Sequence, residues 1–199
     1  MKLVIDHLTR YGYDEEVKFS TQYLRLTPRS TGRQTITAWT LTLPDGAAVT
    51  TTDGWGNVLH VLTLDNPHKE ITIRASGIVD IADEGEETRD EEAELLSPLV
   101  FLRCTPLTRA DTAIREFAQR LYRPDAAEES LNQLMADLLL RMPYSPGATQ
   151  VQDSAADAFA RAKGVCQDHT HVFLACCRAL EIPARYVSGY VYSDNAQHV

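Results

Sequence analysis

Lys163-Gly164-Val165-Cys166-Gln167-Asp168-His169-Thr170-His171 is the stretch on which the reading of this chain turns. Ahead of it, Ser154 is placed to cap a helix through Ala155, Ala158, Phe159 and Ala162 that is expected to end at Gly164. A second helix is expected to start near Cys166, carry Val172, Phe173, Ala175, Cys176, Ala179 and Leu180, and close at Pro183. Cys166 therefore falls in a first helical turn, where backbone N–H groups have no partner four residues back. Such donors and the helix dipole favour thiolate over thiol, and cysteines so placed have pKa values lowered from about 8.5 to roughly 3.5–7.5. The same donors suit the oxyanion that forms when a thiolate attacks a carbonyl. Spacing alone leaves two readings of Cys166 open, a reactive thiol and a small residue buried at a tight turn. Asp168 is equally open, because a carboxylate in a first turn stabilises a helix without doing any chemistry.

Upstream of this stretch the periodicity is helical. Ile114, Phe117, Ala118 and Leu121 repeat at i, i+3, i+4 and i+7 behind Thr108 as an N-cap. Leu131, Leu134, Met135, Leu138 and Leu139 form a second apolar stripe, stopped by Pro143 and Pro146. Downstream, residues 184–192 alternate as a strand, with Val187 and Val191 on one face and Tyr186, Tyr190 and Tyr192 on the other. Residues 1–82 read as all-β. Alternating runs at 3–5, 23–26, 36–43, 58–64 and 71–81 are separated by Pro44-Asp45-Gly46, Asp53-Gly54 with Gly56-Asn57, and Asp65-Asn66-Pro67. In the third run the large residues Trp39, Leu41 and Leu43 share one face. Short strands with regular turns predict an antiparallel sandwich or small barrel.

A chain of 199 residues has room for one large domain or two small ones. The formal net charge of −9 is local: residues 83–94 hold eight acidic groups and one Arg, so the remainder is close to neutral. Like charges at this density repel, which makes residues 83–97 an acidic linker between a β-domain (1–82) and a second domain (98–199). With no basic face, binding of nucleic acid through phosphates is disfavoured. No apolar stretch approaches the roughly 20 residues of a membrane span, and the N-terminus has no signal-peptide pattern. Cys104, Cys166, Cys176 and Cys177 form no CxxC pair, so reduced thiols in a cytoplasm are expected. A metal site from Cys166, His169 and His171 is disfavoured, since His-x-His on a helix points the two rings apart. His169, three residues from Cys166, shares its helical face and can approach the thiol. His171 faces elsewhere and is expected to pack or hydrogen-bond in the core, and Cys176 and Cys177 read as small core and helix-flank residues. His7, His60 and His68 form no cluster.

Gly164-Val165-Cys166-Gln167-Asp168, the helix after it, and Ile182-Pro183-Ala184-Arg185-Tyr186-Val187-Ser188-Gly189-Tyr190 together resemble the core of the bacterial transglutaminase-like superfamily. Pro143-Tyr144-Ser145-Pro146-Gly147-Ala148-Thr149 is similar to the loop preceding that core. The opening resembles the β-sandwich that accompanies it, through His7, Tyr11, Tyr13, Leu24, Leu26, Pro28, Trp39 and the turn Asp53-Gly54-Trp55-Gly56-Asn57. The resemblance implies an α+β chain, an N-terminal antiparallel β-sandwich followed by a papain-like α+β core whose sheet is incomplete here. It also implies a nucleophilic Cys on a helix, a His on a following strand and an Asp on the strand after that. Cys166 matches the nucleophile. His198, followed by Val199, fits the start of the His strand, or belongs to a polar loop at 193–197 that precedes it. The Asp has no match, because Asp194 comes before His198 and the family's Asp comes after its His.

What the resemblance implies about function is a cysteine enzyme acting on peptide or isopeptide amide bonds through a thioester, with hydrolysis favoured over cross-linking and no cofactor. The alternative is a non-catalytic member that binds peptides in the same cleft. A third reading treats the β-domain and linker as an interaction module. Because the chain stops just after the strand-like run, it is expected to lack the rest of the core sheet, to be inactive alone, and to self-associate through an exposed strand edge.

Overall fold

The computed structural model describes residues 1–82 and 96–191. Most of the acidic linker (83–95), Tyr192, Asp194 and His198 lie outside the described residues. The chain divides into two compact units, Met1–Leu96 with Ser188–Val199, and Ser97–Val187. It is an α+β protein: antiparallel sheets in the first unit, helices in the second.

In the first unit, β1 (Lys2–Val17), β3 (Gln34–Thr42) and β6 (His68–Ile81) form one antiparallel sheet in the order β1-β6-β3. The second sheet has the order β2-β5-β4, from β2 (Ser20–Thr27), β4 (Ala47–Thr52) and β5 (Val58–Leu64). Leu24, Leu62 and Leu64 from this sheet bury against Ile71 and Ile73 of β6, which makes the unit a sandwich. Each such aliphatic side chain removed from water contributes about 1.5–3 kcal/mol. Trp39 and Leu41 lie half-buried on one face of β3, as the alternation predicts. Trp39 pairs in register with Gly77, and its ring lies where any Cβ at Gly77 would stand. β4 is missing from the sequence-based expectation because Ala47-Ala48-Val49-Thr50-Thr51-Thr52 is exposed throughout and carries no alternation. The 53–57 turn forms around Asp53, whose carboxylate accepts from Arg25 Nε at 2.6 Å and from the Trp55 and Asn57 N–H groups at 2.9 Å each. Arg25 above all holds that carboxyl well below the usual carboxylate range. Tyr190 completes this unit. Its hydroxyl donates to the Leu26 carbonyl at 3.0 Å, and its ring packs on Trp39 and edge-on to His7, with centroids at 5.4 and 5.5 Å.

The second unit contains α1 (Thr112–Leu121), α2 (Ala127–Arg141), α3 (Ala155–Arg161) and α4 (Cys166–Ala179). α4 packs against the other three. Their shared core joins Ile114, Phe117 and Ala118 to Leu134, Leu138, Ala158, Phe159, Val172 and Cys176.

Several local expectations are corrected. The cap of α1 is Asp111, whose Oδ1 accepts the Ile114 N–H at 2.9 Å; Thr108 lies in a preceding single turn (Pro106–Thr108). On α2, Met135 and Leu139 are exposed, and the buried line is Ser130, Leu134 and Leu138. Ser130 is satisfied there, its Oγ lying 3.0 Å from the Ala127 carbonyl and accepting the Arg123 N–H at 3.2 Å. α3 begins at Ser154 with a reciprocal Ser154–Asp157 capping box, as expected, but ends at Arg161 with Ala162 left-handed (φ 54°), two residues before Gly164. The described part of 184–192 is not a strand: Val187 and Val191 are exposed, and the backbone has no ladder. A strand exists only through a neighbour's N–H and C=O groups, and residues 184–191 pair with none of the described strands.

Candidate functional site

Cys166 is the first residue of α4 and is exposed. Its backbone is held in place by the turn that precedes it. Gly164 bridges to the segment after α2: Ser145 N–H donates to the Gly164 carbonyl at 2.8 Å, and Gly164 N–H to the Pro143 carbonyl at 3.4 Å. This leaves Gly164 tight against α4, where a Cβ would stand 2.7 Å from Asp168 Cβ and 2.8 Å from its Oδ2. Glycine is therefore required here for close approach, and the αL helix stop read from sequence is supplied by Ala162 instead.

Asp168 is 2% exposed and fastens the entry to α4. Its Oδ2 accepts the Val165 N–H at 2.8 Å and the Thr149 hydroxyl at 2.6 Å. The carboxylate at the third helical position thus satisfies the N-cap N–H, and burial is compensated by two short bonds. The choice left open for Asp168 in the sequence resolves, for its contacts, toward holding the turn. With Val165 N–H so engaged, the N–H groups of the first helical turn, which Cys166 heads, have no partners four residues back. A small cleft of about 80 Å³ opens next to this turn, lined by Thr149, Gln150, Val151, Val165, Gln167 and Asp168. Gln167 reaches across its rim, Nε2 donating to the Val151 carbonyl at 3.2 Å.

The neighbouring histidines have other partners. His169 Nε2 donates to the Met142 carbonyl at 2.6 Å, which orients the ring toward the end of α2. His171 is buried, with its Nδ1 unpartnered and its ring edge-on to Tyr186 at 5.8 Å. Burial lowers the His171 pKa below its ordinary value, opposed by the nearby Asp168 charge and assisted by Arg178. Tyr186 in turn has its hydroxyl pushed up by burial, and next by the Cys166 sulfur. Cys176 and Cys177 are buried, and burial pushes their thiols up to about 12 and about 11. Both are closed off where Cys166 is open. Among the described residues no three His, Cys, Asp or Glu side chains are grouped as a metal ion would need.

Two residues of this region escaped the sequence reading. Arg178 Nε donates to the Phe101 carbonyl at 2.9 Å, and its two terminal nitrogens donate to Thr108 Oγ1 at 2.6 Å and the Ala184 carbonyl at 2.9 Å. It ties the 101–108 segment and the chain after Pro183 to α4, and with them Tyr186. The signal available was an Arg near the end of a helix otherwise apolar on that side. Thr149 was visible only as part of the 143–149 loop, and nothing in sequence joins it to Asp168, 19 residues on.

An α+β chain with a β-sandwich unit and a helical unit, in which an open cysteine heads a packed helix beside a small cleft, defines a class. Residues 3–80 match the model of the bacterial transglutaminase-like N-terminal region, and residues 115–199 that of the transglutaminase-like superfamily. An uncharacterized protein of Mycobacterium leprae is 31% identical over 199 residues, covering 96% of this chain and 71% of that one. Uncharacterized proteins of Mycobacterium bovis and Mycobacterium tuberculosis are 30% identical over 206 residues, covering 96% of this chain and 66% of theirs. This chain thus spans about two thirds of the length of these relatives. The crystal structure of "a Putative Cysteine Protease from Cytophaga hutchinsonii" superposes with a TM-score of 0.72 at 21% identity, over 92% of this chain and 65% of that one. The chain belongs to the transglutaminase-like superfamily and carries the N-terminal region of its bacterial members.

Proposed function

We propose that Cys166 is the nucleophile of a cytoplasmic amide hydrolase acting on peptide or isopeptide bonds. The observation that carries this reading is the contrast within one helix. Cys166 is exposed at its first position, on a turn fixed by Asp168, whereas Cys176 and Cys177 are buried with raised pKa values. Membership of the superfamily supports the same assignment.

In this mechanism the Cys166 thiolate attacks the amide carbonyl carbon, and first-turn N–H groups of α4 receive the developing oxyanion. The C–N bond then breaks, and the leaving amine takes a proton from the general acid, for which His198 is the candidate. The thioester left on Cys166 is attacked by water, whose proton returns to the same base, releasing a carboxylate and the free thiol. Hydrolysis is favoured over transfer to a second amine because the Cys166 side chain is open to water in this structure.

The test is alkylation by iodoacetamide, followed at Cys166 and Cys104 by peptide mass spectrometry between pH 5 and 8. The proposal expects Cys166 to react faster than the equally exposed Cys104 at the acid end of that range. Equal rates across the range would remove the activated nucleophile and leave the peptide-binding reading. Wild-type turnover of peptide amides by Cys166→Ala would overturn the proposal directly.

A further inference from the structure

β1 is a long strand at the edge of its sheet. It is paired to β6 in an unbroken register from Lys2 to Gly12, and no other described strand lies on its far side. Natural sheets blunt such edges with short strands, prolines, bulges or charged side chains. β1 is long and has no proline, and the charges of its regular part are each matched by a partner on β6. Its outward face instead shows Val4 at 79% and Leu8 at 55% exposure, between charges that alternate in sign every fourth residue: Lys2, Asp6, Arg10 and, past the regular register, Asp14. Each of the first three is held on that face by an exposed ion pair to β6, Lys2 with Asp80, Asp6 with Arg74 and Arg10 with Glu70.

Alternation with this period is self-complementary about one point. If two β1 strands run antiparallel about a twofold axis at Leu8, Asp6 faces Arg10 of the second copy and Lys2 faces its Asp14. Val4 then faces Gly12, and the two Leu8 side chains meet at the axis. Moving the axis two residues toward the N-terminus sets Lys2 against Arg10 and Asp6 against itself. Moving it two residues the other way sets Asp6 against Asp14 and Arg10 against itself. Like charges directly opposite across a ladder are destabilising, and opposite charges and apolar pairs are stabilising.

We propose that a second copy of this chain pairs along the free edge of β1, antiparallel about an axis at Leu8, giving an isologous dimer with one continuous six-stranded sheet. The edge is that of the β-sandwich, not of the 184–192 segment. The pairing is independent of the chemistry assigned to Cys166.

The test is a charge swap read by sedimentation velocity. Wild-type protein is expected to dimerise reversibly. Asp6→Arg alone sets two Arg–Arg pairs at the axis, and Arg10→Asp alone sets two Asp–Asp pairs, so each weakens the dimer at least tenfold. An equimolar mixture of the two variants restores opposite charges at both positions and is expected to dimerise as the wild type does. A wild-type protein that stays monomeric, or a mixture no better associated than its components, overturns the proposal. Disulfide trapping gives an answer even if the charge variants fold poorly. In a Cys104→Ser, Cys166→Ser background, Leu8→Cys places two thiols on facing residues, within the span a disulfide closes. Val4→Cys in the same background places them eight residues of strand apart, about 27 Å. Rapid cross-linking of Leu8→Cys alone supports the register; equal trapping of both, or of neither, refutes it.

Discussion

Gly164 and Asp168 are in such close contact that any side chain at the first would displace the carboxylate of the second, whose Oδ2 would lie 2.8 Å from the added Cβ. The carboxylate cannot yield freely, because it is buried and accepts both the Val165 N–H and the Thr149 hydroxyl. Gly164→Ala is therefore expected to destabilise the helical unit by about 1–3 kcal/mol, the usual cost of overpacking. Asp168→Ala is expected to cost a similar amount by leaving the part-buried Val165 N–H and the Thr149 hydroxyl without their acceptor. Urea denaturation of both variants checks this, and slowed alkylation of Cys166 in the native variants would show that the turn also orients the thiol.

Thiol counting separates the two kinds of cysteine. Native protein is expected to react with a disulfide reagent at two thiols, Cys104 and Cys166, and at all four once unfolded. Raising the pH to 9 should not expose a third, because burial holds Cys176 near 12 and Cys177 near 11.

His171 makes stability depend on pH in a stated direction. Its folded-state pKa is lowered from an ordinary 6.5, chiefly by burial, against the charge of Asp168 and with that of Arg178. Below about pH 6.5 the unfolded chain binds a proton that the folded one resists, so stability falls as the pH drops through that value. Above it the contribution is complete and flat. His171→Leu removes the group together with an unpartnered buried nitrogen. Urea midpoints between pH 5 and 8 should fall less steeply toward acid in the variant than in the wild type.

Arg178 holds three oxygens from three places in the chain. Arg178→Ala is expected to lower stability by about 2–3 kcal/mol, since hydrogen bonds from a charged donor are the stronger kind. Arg178→Lys should recover little of it, because an ammonium cannot reproduce the planar fork. Thermal melts of the two variants check the order.

The elements legible in sequence were those with strong periodicity or explicit caps. Ser154 announced α3 and the Asp53 turn formed as its residues predict, whereas α4 ends at Ala179, with Glu181 at φ 61°, ahead of the Pro183 expected to close it. What failed was read from composition without a partner in view. β4 has no alternation because it lies exposed at a sheet edge. Thr108 and Asp111 are both good caps, and only the distance from Asp111 to the Ile114 N–H decides between them. At the site, sequence placed Cys166 at the head of its helix and Asp168 in its first turn. It could not show that Gly164 is a contact surface for Asp168, since that depends on how the segment after α2 returns to bridge it.

The return of Tyr190 to Leu26, Trp39 and His7 gives the chain an unusual order of ownership. The helical unit is threaded between two pieces of the sandwich unit and does not simply follow it. Cutting away residues 1–82 would therefore not part the two units cleanly; it would leave Tyr190, a piece of the first, without its socket. For anyone dividing this protein, residues 97–187 are an insert, and the natural seam has two ends.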